Sequence, residues 1–304
     1  MNNPPFRRFI KEVIRTHAIF NEVKFSSNSN STKAKIGVRA NYIEKFSKTL
    51  IEPRLSFSQR FLNYFRLEIL GEFKSQTTSQ IIDLQNDFLG VEKRCWILSN
   101  NDDIPIIESK QISAGIHFNK NKLLISAEAY IKDVDGITTR SQGFQNQYQF
   151  RIEDGSYRIK GIDFLINKQF GNISTWFSYS YSKNDYTFKG LNSGESFPNN
   201  VDITHVLTFA VAYTFNDFKF AIGVNWLTGK PFTEPEGISS TTNNTINYQA
   251  PNSSNLDDYL RADLSGTYIF KNGDTSDAII GFSLWNILNK TNIINIYYTI
   301  DDSN

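Results

Sequence analysis

Apolar and polar residues alternate along much of this chain with a period of two. The clearest run is 207–215, in which large apolar side chains take the odd positions and Thr or Ala the even ones. Such alternation puts the two sets on opposite faces of a β-strand. Eleven other segments repeat the pattern and predict strands at about 16–25, 34–43, 50–58, 62–73, 110–119, 121–132, 159–169, 172–183, 217–228, 259–270 and 278–289.

The length of these strands distinguishes two all-β architectures. Soluble sandwiches use strands of about five or six residues, whereas tilted membrane-crossing strands need about nine to eleven. The predicted strands are long, their apolar faces end in aromatic residues, and their polar faces carry pairs such as Arg66 with Glu68. We therefore predict part of an antiparallel, up-and-down transmembrane β-barrel of about twelve strands. The alternative is a soluble or surface β-sandwich that binds carbohydrate or acts in adhesion, with its apolar faces packed on a second sheet.

The predicted connections alternate between short and long. Short turns are expected near 119–121, 170–172, 216–217 and 271–277, and long loops at 74–109, 133–158, 184–203 and 229–258. In outer-membrane barrels the turns face the periplasm and the loops face outside. By this parity the first and last predicted strands both have their free ends on the outer side. Because the N-terminus also has no secretory signal pattern, we expect the chain to be a piece of a longer barrel.

The composition of the chain argues against several other classes of protein. The net charge is only +1, and 32 basic residues are interspersed with 31 acidic ones, so nucleic acid is not an expected partner. No apolar run approaches the about 18 residues that a membrane helix needs. The single cysteine, Cys95, excludes an intrachain disulfide and a thiolate metal cluster.

Seven short motifs, in a fixed order, carry a resemblance to a known family. The motifs are EPRLS (52–56), GIDF (161–164), WFSYSYSK (176–183), FPNNVDITHVL (197–207), GKPFT (229–233), DYLRADLS (258–265) and NILNK (286–290). With them the chain resembles the C-terminal half of the barrel of TonB-dependent outer-membrane receptors, particularly those of Bacteroidetes-type bacteria, over most of 34–300.

The resemblance implies a barrel of about twenty-two strands closed around an N-terminal plug. Residues 1–304 would be one partial barrel domain, with the plug and its TonB-contacting segment upstream and the final strand downstream. It implies location in the cell outer membrane, with membrane lipid, the plug and, through it, TonB as partners. The implied function is energy-coupled uptake of an extracellular ligand such as a ferric siderophore, cofactor, oligosaccharide or peptide, without a cofactor and without enzymatic chemistry.

Candidate site residues fall into two groups. Binding residues concentrate on loops held by a rigid scaffold, so ligand contact is predicted for loop aromatics, namely Phe144, Tyr148, Phe197, Phe232 and Tyr248. Charged residues on the polar strand faces are predicted to line the lumen wall, namely Arg54, Arg66, Glu68, Lys160, Asp163, Arg261 and Asp263.

Neither catalysis nor metal binding is predicted. The three histidines, His17, His117 and His205, lack an H-E-x-x-H or comparable spacing. The acidic pairs at 102–103, 133–135 and 257–258 have no EF-hand spacing and are predicted to be solvated loop acids. Asp202 precedes His205 by three residues, but their opposite parity predicts an architectural role for His205 at the membrane interface.

Overall fold

The computed structural model of this chain describes residues 12–82, 94–144, 146, 148, 151–237, 241–242, 245–272 and 276–300. Twelve long antiparallel strands form one continuous sheet in chain order. They are β1 (Thr16–Ser26), β2 (Thr32–Ile43), β3 (Lys48–Phe61), β4 (Phe65–Gln76), β7 (Ile107–Lys120), β8 (Leu123–Thr138), β9 (Asp154–Phe170), β10 (Ile173–Phe188), β12 (His205–Phe215), β13 (Phe218–Leu227), β18 (Tyr259–Asn272) and β19 (Ser276–Leu284). The predicted number and order of strands are confirmed.

Short elements occupy the connections between the long strands. They are β5 (Thr78–Ile82), β6 (Arg94–Leu98), β11 (Phe197–Pro198), β14 (Pro231–Phe232), β15 (Thr241–Thr242), β16 (Thr245–Ile246), β17 (Ser254–Asn255), α1 (Thr139–Gln142) and 3-10 turns at Glu44–Phe46 and Asn192–Gly194. In the part of the chain that the structure describes, no helix is long and apolar enough to cross a membrane.

The two ends of the sheet differ in their connections, as predicted. At one end, which we call the turn end, strands join through tight turns such as Asn121–Lys122, whose φ angles are 51° and 59°. Two consecutive left-handed residues are the geometry of a type I′ hairpin turn. At the other end, the loop end, four connections are long, and only the one between β2 and β3 is short.

The two sheet faces differ as the alternation predicts. Cross-strand registers put Leu207, Phe209 and Ile222 on one side, which we call the apolar face. The other side, the polar face, carries Glu68 and Asp163. Within the described residues β1 and β19 each pair with one neighbour only, so the sheet is open.

The predicted sandwich alternative is wrong. Phe209 and Phe220 on the apolar face are 37% and 44% exposed. The other sheets among the described residues are two-stranded pieces in the loops, and none forms a second layer. An apolar face without a protein partner is what a lipid-facing barrel wall requires.

Most strand bounds differ from prediction at the loop end, where β8, β9 and β10 run five or six residues further than expected. The predicted strand 278–289 is wrong in the other direction, because β19 ends at Leu284. Asn286 has a φ of 51°, a left-handed conformation that cannot continue a strand. Its N–H donates to Asp263 Oδ1 at 2.8 Å instead of to a backbone carbonyl.

Pro53 explains why β3 pairs with β4 over only part of its length. Proline has no N–H to donate to a sheet ladder, and the β3–β4 register begins one residue later, at Arg54 opposite Glu72. The Glu52 carboxylate accepts the Ser75 N–H at 2.8 Å and the Ser75 hydroxyl at 2.6 Å. A side chain thus replaces the missing backbone pairing at this strand end.

Candidate functional site at the loop end

A hydrophobic cluster, the loop core, fills the space between the loops that follow β8 and β10. Three of the residues predicted to contact ligand belong to it or pack on it. Phe144 and Phe197 are only 4% and 3% exposed, and Tyr148 packs against Phe144 at 5.9 Å between ring centroids. The loop core consists of Val134, Ile137, Phe144, Tyr186, Phe188, Leu191 and Phe197. Ligand contact by Phe144, Tyr148 and Phe197 therefore stays a prediction, and the structure places them in packing roles.

Tyr186 joins the loop core to a polar side chain beside it. Its hydroxyl donates to Gln142 Oε1 at 2.8 Å, so the buried ring keeps a hydrogen-bond partner. Burial raises the pKa of the Tyr186 phenol well above its usual range, because the phenolate would lose hydration. Gly155 lies directly under Phe188, where an added Cβ would approach the ring to 2.3 Å. Only glycine therefore fits beneath that ring.

A cavity of about 210 Å³ lies beside the loop core. Four of the long-strand connections and the segment after β19 line it with backbone and side-chain amides, and Phe232 and Tyr298 supply aromatic surface. Its cationic residues are Arg94 and Lys230, and no carboxylate of the described residues lines it. The cavity is therefore suited to an anionic ligand that accepts hydrogen bonds.

Thr233 and two buried asparagines hold the wall of this cavity. Asn146 Nδ2 donates to Thr233 Oγ1 at 2.9 Å, and the backbone N–H of Asn252 donates to the same oxygen at 2.9 Å. Asn252 Nδ2 donates to Pro198 O at 2.7 Å and to Asn200 Oδ1 at 2.8 Å. Because these residues come from three separate loops, the network fixes the loops relative to one another.

Sequence reasoning missed this polar network. Two features of the sequence pointed towards it, the many asparagines in the loops and the Thr that ends the GKPFT motif. Which asparagines meet could not be predicted, because the contacts join residues far apart in the chain, such as Asn146 and Thr233. The two remaining residues predicted to contact ligand differ in position, since Phe232 lines the cavity and Tyr248 does not.

Tyr248 forms an isolated antiparallel bridge with Pro235. Burial raises the pKa of its phenol, with a smaller contribution from Tyr298.

The residues predicted for the lumen wall lie on the polar face, with one exception. Arg66 Nε lies 3.2 Å from Glu68 Oε1, and Arg261 Nε donates to Asp263 Oδ1 at 2.8 Å. Arg54 stands opposite Glu72, and Asp163 stands opposite Glu128. Their contact with a transported ligand stays a prediction.

Lys160 is the exception, and its predicted place on the lumen wall is wrong. It stands opposite Ile131 on one side and Lys183 on the other, all of which lie on the apolar face. Lys160 and Asp163 are three residues apart in one strand, and an odd spacing puts side chains on opposite faces.

His205 lies in an aromatic group on the apolar face near the loop end. The Tyr179 hydroxyl and His205 Nδ1 are 2.8 Å apart, and the imidazole ring is 6.3 Å from the Trp226 ring and 5.3 Å from the Tyr181 ring. Asp202 instead accepts hydrogen bonds from Lys183 Nζ at 2.7 Å and from the Asn184 N–H at 2.8 Å. Asp202 and His205 thus have separate partners, as their parity predicts.

The acidic pairs contact protein groups in three places, and the prediction of a loop at 133–135 is wrong, because Asp133 and Asp135 lie in β8. Asp103 pairs with Arg140, and Asp133 pairs with Arg158. Asp258 accepts hydrogen bonds from Trp226 Nε1 at 3.1 Å and from the Gly229 N–H at 3.2 Å. Over the described ranges, no group of three or more His, Cys, Asp or Glu side chains is placed to hold a metal ion.

Comparisons with known proteins agree with this geometry. A family profile described as "TonB dependent receptor-like, beta-barrel" matches residues 19–286. No curated protein matches the chain in sequence.

Solved structures with the same fold include three transport proteins. The siderophore receptor PirA from Acinetobacter baumannii is 16% identical with a TM-score of 0.61, covering 91% of this chain and 42% of its own. The FrpB iron transporter from Neisseria meningitidis (F3-3 variant) is 10% identical with a TM-score of 0.61, covering 91% and 41%. The ferric citrate transporter FecA in its unliganded form is 12% identical with a TM-score of 0.64, covering 94% and 42%. The chain thus spans about two fifths of the length of these proteins.

Proposed function

Because the chain belongs to the TonB-dependent receptor family of outer-membrane β-barrels, we propose that it supplies barrel strands and outer loops to a receptor that imports a scarce ligand. The receptor's plug would occupy the space beside the polar face and contact TonB on the periplasmic side. Energy would come from the inner-membrane proton gradient. The chain's own part is to bind the ligand at the loop end and to form half of the wall along which it moves.

The observation that carries the proposal is the loop-end cavity. It combines Lys230 with amide donors, such as the Asn200 side chain, on a hydrogen-bonded frame held by Asn252. Its volume of about 210 Å³ is below the about 300–1,000 Å³ of a complete small-molecule site. It would therefore bind one edge of a larger ligand.

Ligand charge narrows the candidate classes. Ferric siderophores, cofactors, oligosaccharides and peptides are all compatible with the fold. Because Lys230 lines the cavity and no carboxylate of the described residues does, an anionic ligand is favoured. The relatives named above as ferric citrate transporter, siderophore receptor and iron transporter support an anionic ferric chelate. The chain would bind and pass this ligand without chemical change.

Ligand binding by the chain in detergent micelles tests the proposal. Fluorescence titration with ferric citrate, a ferric hydroxamate and a ferric catecholate should show saturable binding of at least one chelate. Lys230→Gln should weaken that binding about tenfold, because it removes a charge-assisted contact. The matched control is Lys189→Gln, which removes a lysine from an exposed position of the neighbouring loop.

Two results would contradict the proposal. One is equal weakening by Lys189→Gln, which would indicate a general charge effect. The other is chelate binding that survives both Lys230→Gln and Phe232→Ala, which would place the ligand outside this cavity.

A further inference from the structure

The apolar face changes abruptly from hydrocarbon to charge near the loop end. Successive rows of side chains cross strands β7 to β12, two residues apart along each strand. One row reads Ala129, Ile162, Tyr181 and His205, and the next towards the loop end reads Ile112, Ile131, Lys160 and Lys183. The row beyond that is wholly polar and reads Lys110, Asp133, Arg158 and Asp185.

This change lies at the height where a membrane's hydrocarbon should end. Lys183 and Ile173 are ten residues apart on β10, roughly 33 Å along a strand. A strand tilt of about 40° reduces this span to about 25 Å, the height of the apolar band on outer-membrane barrels. Tyr181 and His205, one row below the lysines, correspond to the interfacial aromatic residues. The charged rows therefore face the layer of lipid headgroups.

Lys160 and Lys183 stand directly opposite each other in this position. Like charges in directly opposed cross-strand pairs are destabilising. Lys183 is offset by Asp202 at 2.7 Å and Asp185 at 3.5 Å. Lys160 is exposed and has no ion pair among the described residues. The row adjoining the hydrocarbon thus carries two lysines, of which Lys183 is paired with Asp202, and Asp133 and Asp185 lie in the row further from the membrane.

A groove of about 560 Å³ runs along these rows, and its charged lining residues are Lys110, Asp133, Asp135, Arg158, Lys160, Lys183 and Asp185. Asp133 pairs with Arg158, and Lys110 lies 5.8 Å from the Phe73 ring centroid. Lys160, in the row nearer the hydrocarbon, is the groove cation that is left for an anion. An anion bound here would offset the repulsion between the charges of Lys160 and Lys183.

We propose that this groove binds the phosphate group of an outer-leaflet membrane lipid, with Lys160 and Lys183 contacting the phosphate and the acyl chains lying on the apolar band below. A lipid is favoured over a free anion because Ile112 and Ile131 occupy the same row as the lysines. This inference concerns the outer side of the wall and does not depend on the identity of the imported ligand.

Native mass spectrometry of the full chain, released from micelles containing defined lipids, tests the inference. The probes are dimyristoyl phosphatidic acid and dimyristoyl glycerol, which share acyl chains and differ in the phosphate. The wild-type chain should retain the phosphatidic acid preferentially. Lys160→Gln should reduce this retention about fivefold, as expected for one lysine near an anionic surface, and Lys160→Arg should preserve it.

Lys132→Gln is the matched control, because Lys132 lies at nearly the same height on the neighbouring strand β8 but stands between Gln111 and Ile159 on the polar face. It should leave retention unchanged, and unfolding midpoints should confirm that all variants are folded. Equal loss in Lys132→Gln and Lys160→Gln would overturn the inference, as would equal retention of the two lipids. Displacement of the phosphatidic acid by millimolar inorganic phosphate would overturn the lipid assignment and indicate a free-anion site.

Discussion

The loop core and the apolar face contain the same types of aromatic residue, but the aromatic rings are buried in the loop core and exposed on the apolar face. Phe188 in the loop core is 0% exposed, whereas Phe220 on the apolar face is 44% exposed. In the loop core, Phe144 contacts Tyr186 at 5.5 Å and Phe188 at 5.9 Å in tilted and edge-on pairs. On the apolar face, Phe218 and Phe220 lie parallel at 6.1 Å and pack along one strand.

The difference shows that two parts of one strand have different surroundings, a packed protein core at the loop end and lipid along the apolar face. β10 contributes Phe177 to the apolar face and, eleven residues later, Phe188 to the loop core. The loop core excludes water by packing protein on protein, as a small soluble domain does. The apolar face leaves its rings uncovered and relies on lipid to complete their surroundings. Changes in the two regions should therefore have different costs.

The largest effect is expected from Phe188→Ala in the loop core. Removing a fully buried ring leaves a cavity, and such substitutions lower the free energy of unfolding by about 3–5 kcal/mol. Phe220→Ala should cost only about 1–2 kcal/mol, because lipid fills the vacated space and no cavity remains. Denaturant unfolding of both variants in lipid vesicles measures the difference. Equal costs would mean that the two regions do not differ as proposed.

The next largest difference in stability is expected when an arginine is introduced on one sheet face or on the other. Phe209→Arg places a guanidinium midway along the apolar face and should reduce stability by about 2–4 kcal/mol. Ala210→Arg, one residue later on the polar face, should cost less than about 1 kcal/mol, because the new side chain faces water. Folding yield into vesicles and unfolding free energy provide the measurement. A larger penalty at residue 210 than at residue 209 would contradict the assignment of the faces.

The polar frame of the loop-end cavity should respond less strongly. Asn252→Ala removes the donors to Pro198 and Asn200 and leaves two half-buried acceptors unpaired, at a cost of about 1–3 kcal/mol. Asn172→Ala at an exposed turn is the control and should change stability by less than about 0.5 kcal/mol. Only Asn252→Ala should also weaken ligand binding, which the chelate titration would detect. Unchanged stability in Asn252→Ala would mean that the network does not hold the loops.

The sheet was predictable because each strand carries its own pattern. In 259–270, Leu260 and Leu264 alternate with Arg261 and Asp263, and this order alone decides which side chains share a face. The same parity rule places Lys160 on the apolar face, and the wrong prediction for that residue came from its charge. A lysine on an apolar face is possible here because the strand continues beyond the hydrocarbon band.

The loop end was not predictable in the same way. Nothing periodic links Phe144 to Phe188 or Asn146 to Thr233, since each pair meets only after the sheet has placed its loops side by side. Exposed loop aromatics and buried ones also look alike in sequence. Phe197 was therefore predicted to contact ligand, and the structure shows it in a packed core.

His205 should give the smallest effect and the sharpest test of the boundary between the two regions. His205→Ala removes the contact with the Tyr179 hydroxyl and the stacking on Trp226, at a cost of about 1 kcal/mol. Asp202→Asn weakens a separate contact with Lys183. Because the two residues share no partner, the two costs should add to within about 0.5 kcal/mol in the double variant. A coupling free energy larger than that would indicate that Asp202 and His205 act as a pair. Additive costs with unchanged chelate binding would support a role for His205 as an anchor at the membrane interface and not in ligand binding.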